Sequence, residues 1–426
     1  MEDTLTLPDT ITPPGATPAS FASLGLTPPT LAGLKGMGIT EPTPVQAQSI
    51  PPLIEGRDGL IQAPTGSGKT AAFVIPIVEL CEKLNDKKRT VALVLCPTRE
   101  LATQGADVAD ALLSPHGFRC ACLIGGVGYD AQRVQMRQSP QVVFGSPGRV
   151  MDFIWDGKLD VSGVSMVVID EADELLDQGF APDVMKILSY LPSQRQTILV
   201  SATLPEWVQG VVREELHDPV RVAVAFDPAN EGVIAHRLFE TTQARRFDDL
   251  CRLLDENRDG SALVFGRTKW GVQKLYSQLK KAGYQVEALE GNMTQGQRER
   301  ALDRFRSKRS HVLVATNVAA RGIDVRHLGL VINYELPESA ELLTHRIGRT
   351  GRAGADGVAI TLLTPQDESK WQRLRKGGAP NLPREEHWST ADRAQAAERP
   401  ARGEGGGGRG GQRSFRTQRP RTAGSR

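Results

Sequence analysis

The sequence predicts two consecutive α/β domains, each a mostly parallel sheet with helices on both faces. Three observations carry that prediction. Short runs of valine, isoleucine and leucine recur along the chain, and they are continuous rather than alternating, as in strands buried on both faces. Amphipathic stretches separate them, as the crossover helices of parallel strands require. The pattern stops between Asp218 and Asn230, where Pro219 and Pro228 flank a short valine-rich stretch, and then starts again.

Residues 1–20 contain Pro8, Pro13, Pro14, Gly15 and Pro18 with few large apolar groups, a composition expected to stay disordered. The first domain is expected over 21–219, with strands at Leu60–Ile61, Val91–Leu95, Ala121–Ile124, Val142–Phe144, Val167–Ile169 and Ile198–Val200. Residues 220–230 read as a linker. A second domain follows over 231–366, with strands at Ala262–Phe265, Val286–Leu289, Val312–Val314, Val331–Ile332 and Val358–Leu363. Lys269–Ala282 and Gln295–Phe305 are helices, the second placing Leu302 and Phe305 on one face. Residues 367–426 read as a basic, Gly/Arg-rich low-complexity tail that cannot bury a core.

Two domains of this size account for most of 426 residues and create a cleft between them. No run approaches the roughly 20 apolar residues of a membrane span. Met1-Glu-Asp-Thr lacks the basic start of a secretory signal, and the five cysteines are scattered without a Cys-x-x-Cys spacing. A reduced, cytoplasmic protein is expected, with no membrane partner. The net charge of +2 conceals an asymmetry: residues 399–426 hold eight arginines and one acid, net +7, leaving −5 for the rest. Such a body is not drawn to a polyanion by bulk charge, so any contact must come from local patches or the tail.

Ala63-Pro-Thr-Gly-Ser-Gly-Lys69-Thr70 has the chemistry of a phosphate cradle. Gly66 and Gly68 let the backbone turn its amides, with those of Thr65 and Ser67, toward phosphate oxygens, and the following helix adds the positive end of its dipole. Lys69 supplies a point charge and Thr70 a hydroxyl for Mg²⁺. Met166-Val-Val-Ile169 then ends in Asp170-Glu-Ala-Asp173, placing carboxylates at the carboxyl edge of a sheet, where ligands of such folds sit. Asp170 can hold Mg²⁺, while Glu171 can orient or deprotonate an attacking water. Together these segments describe a hydrolase acting on a nucleoside triphosphate.

From Phe21 to about Leu363 the chain resembles the DEAD-box ATP-dependent RNA helicases of helicase superfamily two, in the family's motif order. The resemblance implies two tandem RecA-like domains and RNA-stimulated ATP hydrolysis coupled to local, non-processive unwinding of short duplexes. Gly38-Ile-Thr-Glu-Pro-Thr-Pro-Val-Gln46 is similar to the adenine-reading motif, implying that Gln46 bonds the adenine edge and Phe21 stacks on its ring. Pro97, Thr98 and Arg99, Gly125 and Gly126, and Ser146, Pro147, Gly148 and Arg149 resemble the first domain's RNA contacts, all to the backbone and independent of sequence. Ser201-Ala-Thr203 resembles the coupling motif, with Asp173 and His345 implied in the same role. In the second domain Arg267 and Thr316 are implied to touch RNA, Gly322 and Asp324 the nucleotide ribose, and Arg349 and Arg352 the γ-phosphate.

Three positions depart from the family pattern: Ser146 replaces threonine, Glu290-Gly-Asn292 stands for His-Gly-Asp, and Asn317 replaces aspartate. The Arg/Gly tail resembles segments that bind RNA through phosphate pairing and stacking. ATP and Mg²⁺ are the implied cofactors and RNA the partner, with ribosomal precursors and RNA-decay proteins among the assemblies such engines serve. A monomer is expected. An ATP-gated RNA clamp, or a scaffold remodelling ribonucleoproteins with little unwinding, is the competing reading.

Overall fold

The computed structural model describes residues 20–63, 66–224, 233–257, 260–320, 328–351, 356–385 and 387–389. Its first sheet has strands β1 (Gly59–Gln62), β2 (Ala92–Leu95), β3 (Cys120–Leu123), β4 (Val142–Gly145), β5 (Met166–Ile169), β6 (Gln196–Ser201) and β7 (Val220–Ala223). All pair in parallel, in the order β3-β4-β2-β5-β6-β1-β7. Helices α1 (Pro28–Gly36), α2 (Pro44–Ile54), α3 (Lys69–Leu84), α4 (Arg99–Leu113), α5 (Tyr129–Met136), α6 (Pro147–Trp155), α7 (Ala172–Asp177), α8 (Ala181–Tyr190) and α9 (Glu206–Glu215) surround it. Two apolar layers result, one around Phe73 and Phe144, the other around Phe153 and Val167.

The second sheet repeats the plan with β8 (Ile234–Glu240), β9 (Ser261–Phe265), β10 (Val286–Leu289), β11 (Val312–Ala315), β12 (Leu328–Asn333), β13 (Gly357–Leu363) and β14 (Arg384–Glu385). Their order is β10-β11-β9-β12-β13-β8-β14, again parallel throughout. Helices α10 (Arg246–Asp255), α11 (Lys269–Lys281), α12 (Gln295–Arg306), α13 (Asn317–Ala320), α14 (Ala340–Ile347) and α15 (Glu368–Lys376) accompany it. These are the two tandem RecA-like domains that the sequence led us to expect.

Three strands escape the sequence pattern. β7, in the stretch read as a linker, pairs with β1 along its whole length and so belongs to the first sheet. Its alternation of Val220 and Val222 with Arg221 and Ala223 marks an edge strand with one wet face. β8 carries His236 and Arg237 mid-strand, which hides its apolar character. The third correction concerns the tail: residues 367–389 are not all low-complexity chain. Trp371, Leu374 and Trp388 are buried with Leu238, Leu343 and Leu363, and β14 pairs with β8. These few apolar residues lie among charged ones and anchor on distant strands, so they leave no local period. Residues 1–19, expected to be disordered, and residues 225–232, most of them in the expected linker, lie outside the described residues.

Candidate active site

The order of the first sheet sets the site. β6 lies between β1 and β5, so the loop after β1, the end of β6 and the acidic turn after β5 stand side by side at one carboxyl edge. In the first loop Gly66 and Gly68 take positive φ (91° and 93°), and α3 begins at Lys69. A Cβ at Gly68 would lie 2.6 Å from Gln46 Nε2, so the position lacks room for a side chain as well as favouring glycine's φ. The Lys69 ammonium is buried and donates to the Ala63 carbonyl at 2.8 Å. Thr65 lies outside the described residues.

Gln46 stands at the third position of α2, where Thr43 and Pro44 open the helix with a capping box. Its Oε1 accepts from the Thr43 amide at 2.9 Å and its Nε2 donates to the Gly68 carbonyl at 3.0 Å. One N–H and one lone pair of the amide stay available, the pair an adenine edge would use. Phe21 is 4% exposed and lies in the same apolar cluster as Val45, with its short helix packed on α2.

Asp170 is buried at the end of β5, and burial, followed by the charge of Glu171, pushes its carboxyl up to about 7. Lys69 opposes that shift. Such a carboxylate favours a cation beside it. With the Thr70 hydroxyl it forms a hard-oxygen donor set that suits Mg²⁺, which keeps several waters and uses few protein ligands. Glu171 takes a left-handed conformation (φ 47°, ψ 58°), a cost of order 1 kcal/mol for a residue with a Cβ, as active-site turns often carry.

Asp173 is tied to the end of β6. Its Oδ2 accepts from the Thr203 amide and hydroxyl, both at 2.8 Å, and its own amide donates to Ser201 Oγ at 3.2 Å. Ser201 Oγ in turn donates to the Thr203 carbonyl at 2.6 Å. These bonds tie the Ser201–Thr203 turn to the acidic turn that holds Asp170 and Glu171.

The neighbouring loops gather arginines. Thr98 caps α4 through the Leu101 amide at 3.2 Å, and Pro97 and Thr98 are buried at the end of β2. The Arg99 guanidinium lies against Gly125 and Gly126, and a Cβ on Gly126 would collide with it. Ser146, Pro147 and Gly148 open α6 and bring up Arg149, which donates to the Val127 carbonyl at 3.0 Å and stacks 4.0 Å from the Tyr129 ring. Burial first, then the positive charges of Arg298 and Arg149, lower the Arg99 pKa, so the cluster is short of negative charge.

Arg298 comes from the second domain. Its Nε donates to Glu100 Oε1 at 2.7 Å and its Nη2 lies 2.6 Å from the same oxygen, with both side chains buried. Thr316 immediately precedes α13, and its hydroxyl accepts from the Ala319 amide at 3.4 Å. Arg267 and Thr268 are exposed after β9. His345 and Arg349 line one small hollow with Phe265, Asn317 and Arg346. Among the described residues His345 makes no hydrogen bond to Asp173. Gly322, Asp324 and Arg352 lie outside the described residues.

Residues 43–211 match the DEAD/DEAH box helicase family and 245–354 the helicase conserved C-terminal domain. A DEAD-box ATP-dependent RNA helicase, CshA of Geobacillus kaustophilus (strain HTA426), is 40% identical over 358 residues, covering 84% of this chain and 76% of that protein. The chain belongs to the DEAD-box helicase family. Among solved structures, this helicase is similar to S. cerevisiae Dbp5 bound to RNA and ADP BeF3, with TM-score 0.75, 30% identity and coverage of 86% and 95% of the two chains. It is also similar to Mss116p bound to ssRNA and AMP-PNP, with TM-score 0.77, 26% identity and coverage of 90% and 82%.

Sequence reading of this helicase missed Glu100, Tyr129 and Arg346. Glu100 directly follows Arg99, yet its partner Arg298 is 198 positions away. Tyr129 holds Arg149 by stacking and bonds Asp152 through its hydroxyl at 2.6 Å. Arg346 is buried, donating to Asn317 Oδ1, to Asn333 Oδ1 at 3.1 Å and to the Glu335 carbonyl at 2.7 Å.

Proposed function

We propose that this helicase hydrolyses ATP with Mg²⁺ when RNA binds across its two domains, and that the closed state separates short duplexes locally. The observation that carries this reading is the hydrogen-bonded knot between Asp173, Ser201 and Thr203, which ties the catalytic turn to a strand between the nucleotide loop and the acids. Lys69 neutralises the phosphates. Glu171 orients the water and takes its proton as the new bond to the γ-phosphorus forms and the bond to the bridging oxygen breaks. Thr70 and Asp170 would hold Mg²⁺, which supplies positive charge to the phosphate oxygens.

Arg349 and Arg352 complete the site from the second domain, a contribution typically worth about 10³ to 10⁵ in rate. Hydrolysis is then fast only in the closed state, which ATP and RNA each favour, so each promotes the other's binding. Arg99, Arg149, Arg267 and Thr316 hold the RNA backbone, Gly322 and Asp324 the ribose, and Gln46 with Phe21 the base. No helix among the described residues is long and apolar enough to cross a membrane. A cytoplasmic monomer working on ribosomal precursors or with RNA-decay proteins is the setting we propose.

Steady-state ATPase with Mg²⁺, alone and with matched single-stranded RNA or DNA, tests the reading. Strong stimulation by RNA is expected, and Glu171→Gln should lower turnover by about 10² to 10⁴ while leaving RNA binding intact. Equal stimulation by DNA would overturn the RNA assignment, because the 2′-hydroxyl distinguishes the two. A duplex assay then separates a helicase from a clamp.

A further inference from the structure

Trp270 is 76% exposed, more than any other large hydrophobic side chain among the described residues. It is the second residue of α11 and ends a run of four exposed residues, Arg267-Thr268-Lys269-Trp270, that follows β9. Local rules do not account for this placement. Trp270 fills no core, and Lys269 puts a cation at the positive end of the helix, where it costs a few tenths of a kcal/mol or more. Residues that break local rules on a folded surface mark functional sites. Thr268 caps α11 by accepting from the Gly271 amide at 3.0 Å, and just before it Glu335 Oε2 accepts from the Arg267 amide at 2.6 Å. Among the described residues the indole of Trp270 and the Arg267 guanidinium make no hydrogen bond, and both stand exposed.

The chemistry of the surroundings selects the occupant. α11 carries Lys269, Lys274, Lys280 and Lys281 and no acid. Lys269 Nζ bonds Asn292 Oδ1 at 3.3 Å, joining the start of α11 to the exposed turn after β10. That turn leads into α12, whose Arg298 reaches Glu100 next to Arg99 of the first domain. Trp270 thus stands three residues beyond Arg267, at the start of a helix that carries cations and no acid, and a strand held by its phosphate at Arg267 would have a base to place there.

We propose that Trp270 is a stacking platform for one nucleobase of the bound RNA, adjacent to the phosphate held by Arg267. This rests on the RNA-helicase reading above and deepens it, adding a sequence-tolerant base contact to a site otherwise built for backbone. Stacking of one base on an aromatic ring changes affinity by about five- to a hundredfold.

The test compares wild type, Trp270→Ala and Trp270→Phe by the RNA concentration giving half-maximal ATPase, with single-stranded RNAs carrying one abasic site moved along the strand. At this exposed position Trp270→Ala removes no core contact, and an unchanged urea midpoint checks that the variant folds. Expected are a rise of about tenfold in half-saturation for Trp270→Ala, recovery with Trp270→Phe, and unchanged KM for ATP. One abasic position should weaken wild type by a similar factor and leave Trp270→Ala indifferent. Half-saturation equal to wild type with intact RNA would overturn the proposal and leave Trp270 for a protein partner. Wild-type enzyme that fails to bind RNA would overturn both readings, and that failure shows in the wild-type arm alone.

Discussion

Arg346 shows how a single departure from a family pattern acts physically. Its guanidinium is buried over the Phe265 ring, and desolvation pushes its pKa down to about 9. The side chains it bonds, Asn317 and Asn333, are neutral, and Nη2 has no hydrogen-bond partner among the described residues. A carboxylate in place of the Asn317 amide would supply the missing charge. Asn317→Asp is expected to stabilise the second domain by about 1 to 3 kcal/mol, read as a higher urea midpoint. No gain would mean that the charges of Glu335 and Glu338 already compensate the cation.

At the scale of elements, β8 links chemistry to pH. His236 on this strand lies 3.1 Å from Thr361 Oγ1, and burial lowers its pKa from 6.5 to about 4. The unfolded chain therefore binds a proton between those values that the folded chain refuses. Stability is complete above about pH 6.5 and falls as pH drops toward 4, by up to about 3 kcal/mol from this residue alone. His236→Gln should flatten that window in urea denaturation measured from pH 7 to pH 4. The segment that packs beside β8 has its own test. Trp371, 2% exposed, anchors α15 against Leu238 and Leu363. Trp371→Ala should cost the second domain about 3 to 5 kcal/mol, and truncation after residue 366 should cost more. Equal stability of the truncated chain would show that α15 and β14 contribute nothing to the fold.

For the whole molecule the decisive contact is the buried ion pair between Glu100 and Arg298, which joins α4 of one domain to α12 of the other. A pair of this kind resists separation because removing one partner strands a charge away from water, typically at about 3 to 5 kcal/mol. Glu100→Ala and Arg298→Ala should each reduce RNA-stimulated turnover by at least about tenfold with little change in isolated-domain stability. The double variant should lose less than the sum of the two. Additive losses in that cycle would remove the pair from any account of how the domains cooperate.

Several features were legible in the chain itself. The two α/β domains followed from continuous apolar runs, because burial on both faces removes the need for alternation. The arginine-bearing motifs were read only through their resemblance to the family, whereas the glycine loop and the acidic turn could be read because glycine geometry, hydroxyls and paired carboxylates are local demands that fix residue types at fixed spacings. Asp170 and Glu171 could be given roles without coordinates for the same reason. Tertiary structure decided what local demands leave open. The edge strands β7 and β14 earn their places through pairing with β1 and β8, and so carry little signal of their own. Glu100 meets Arg298 only because the fold brings the start of α4 against α12 of the other domain, and Gly126 matters through the space it leaves for Arg99. Local sequence specifies conformation and chemistry residue by residue, whereas partners hundreds of positions apart are chosen by packing, which acts only once the chain has folded.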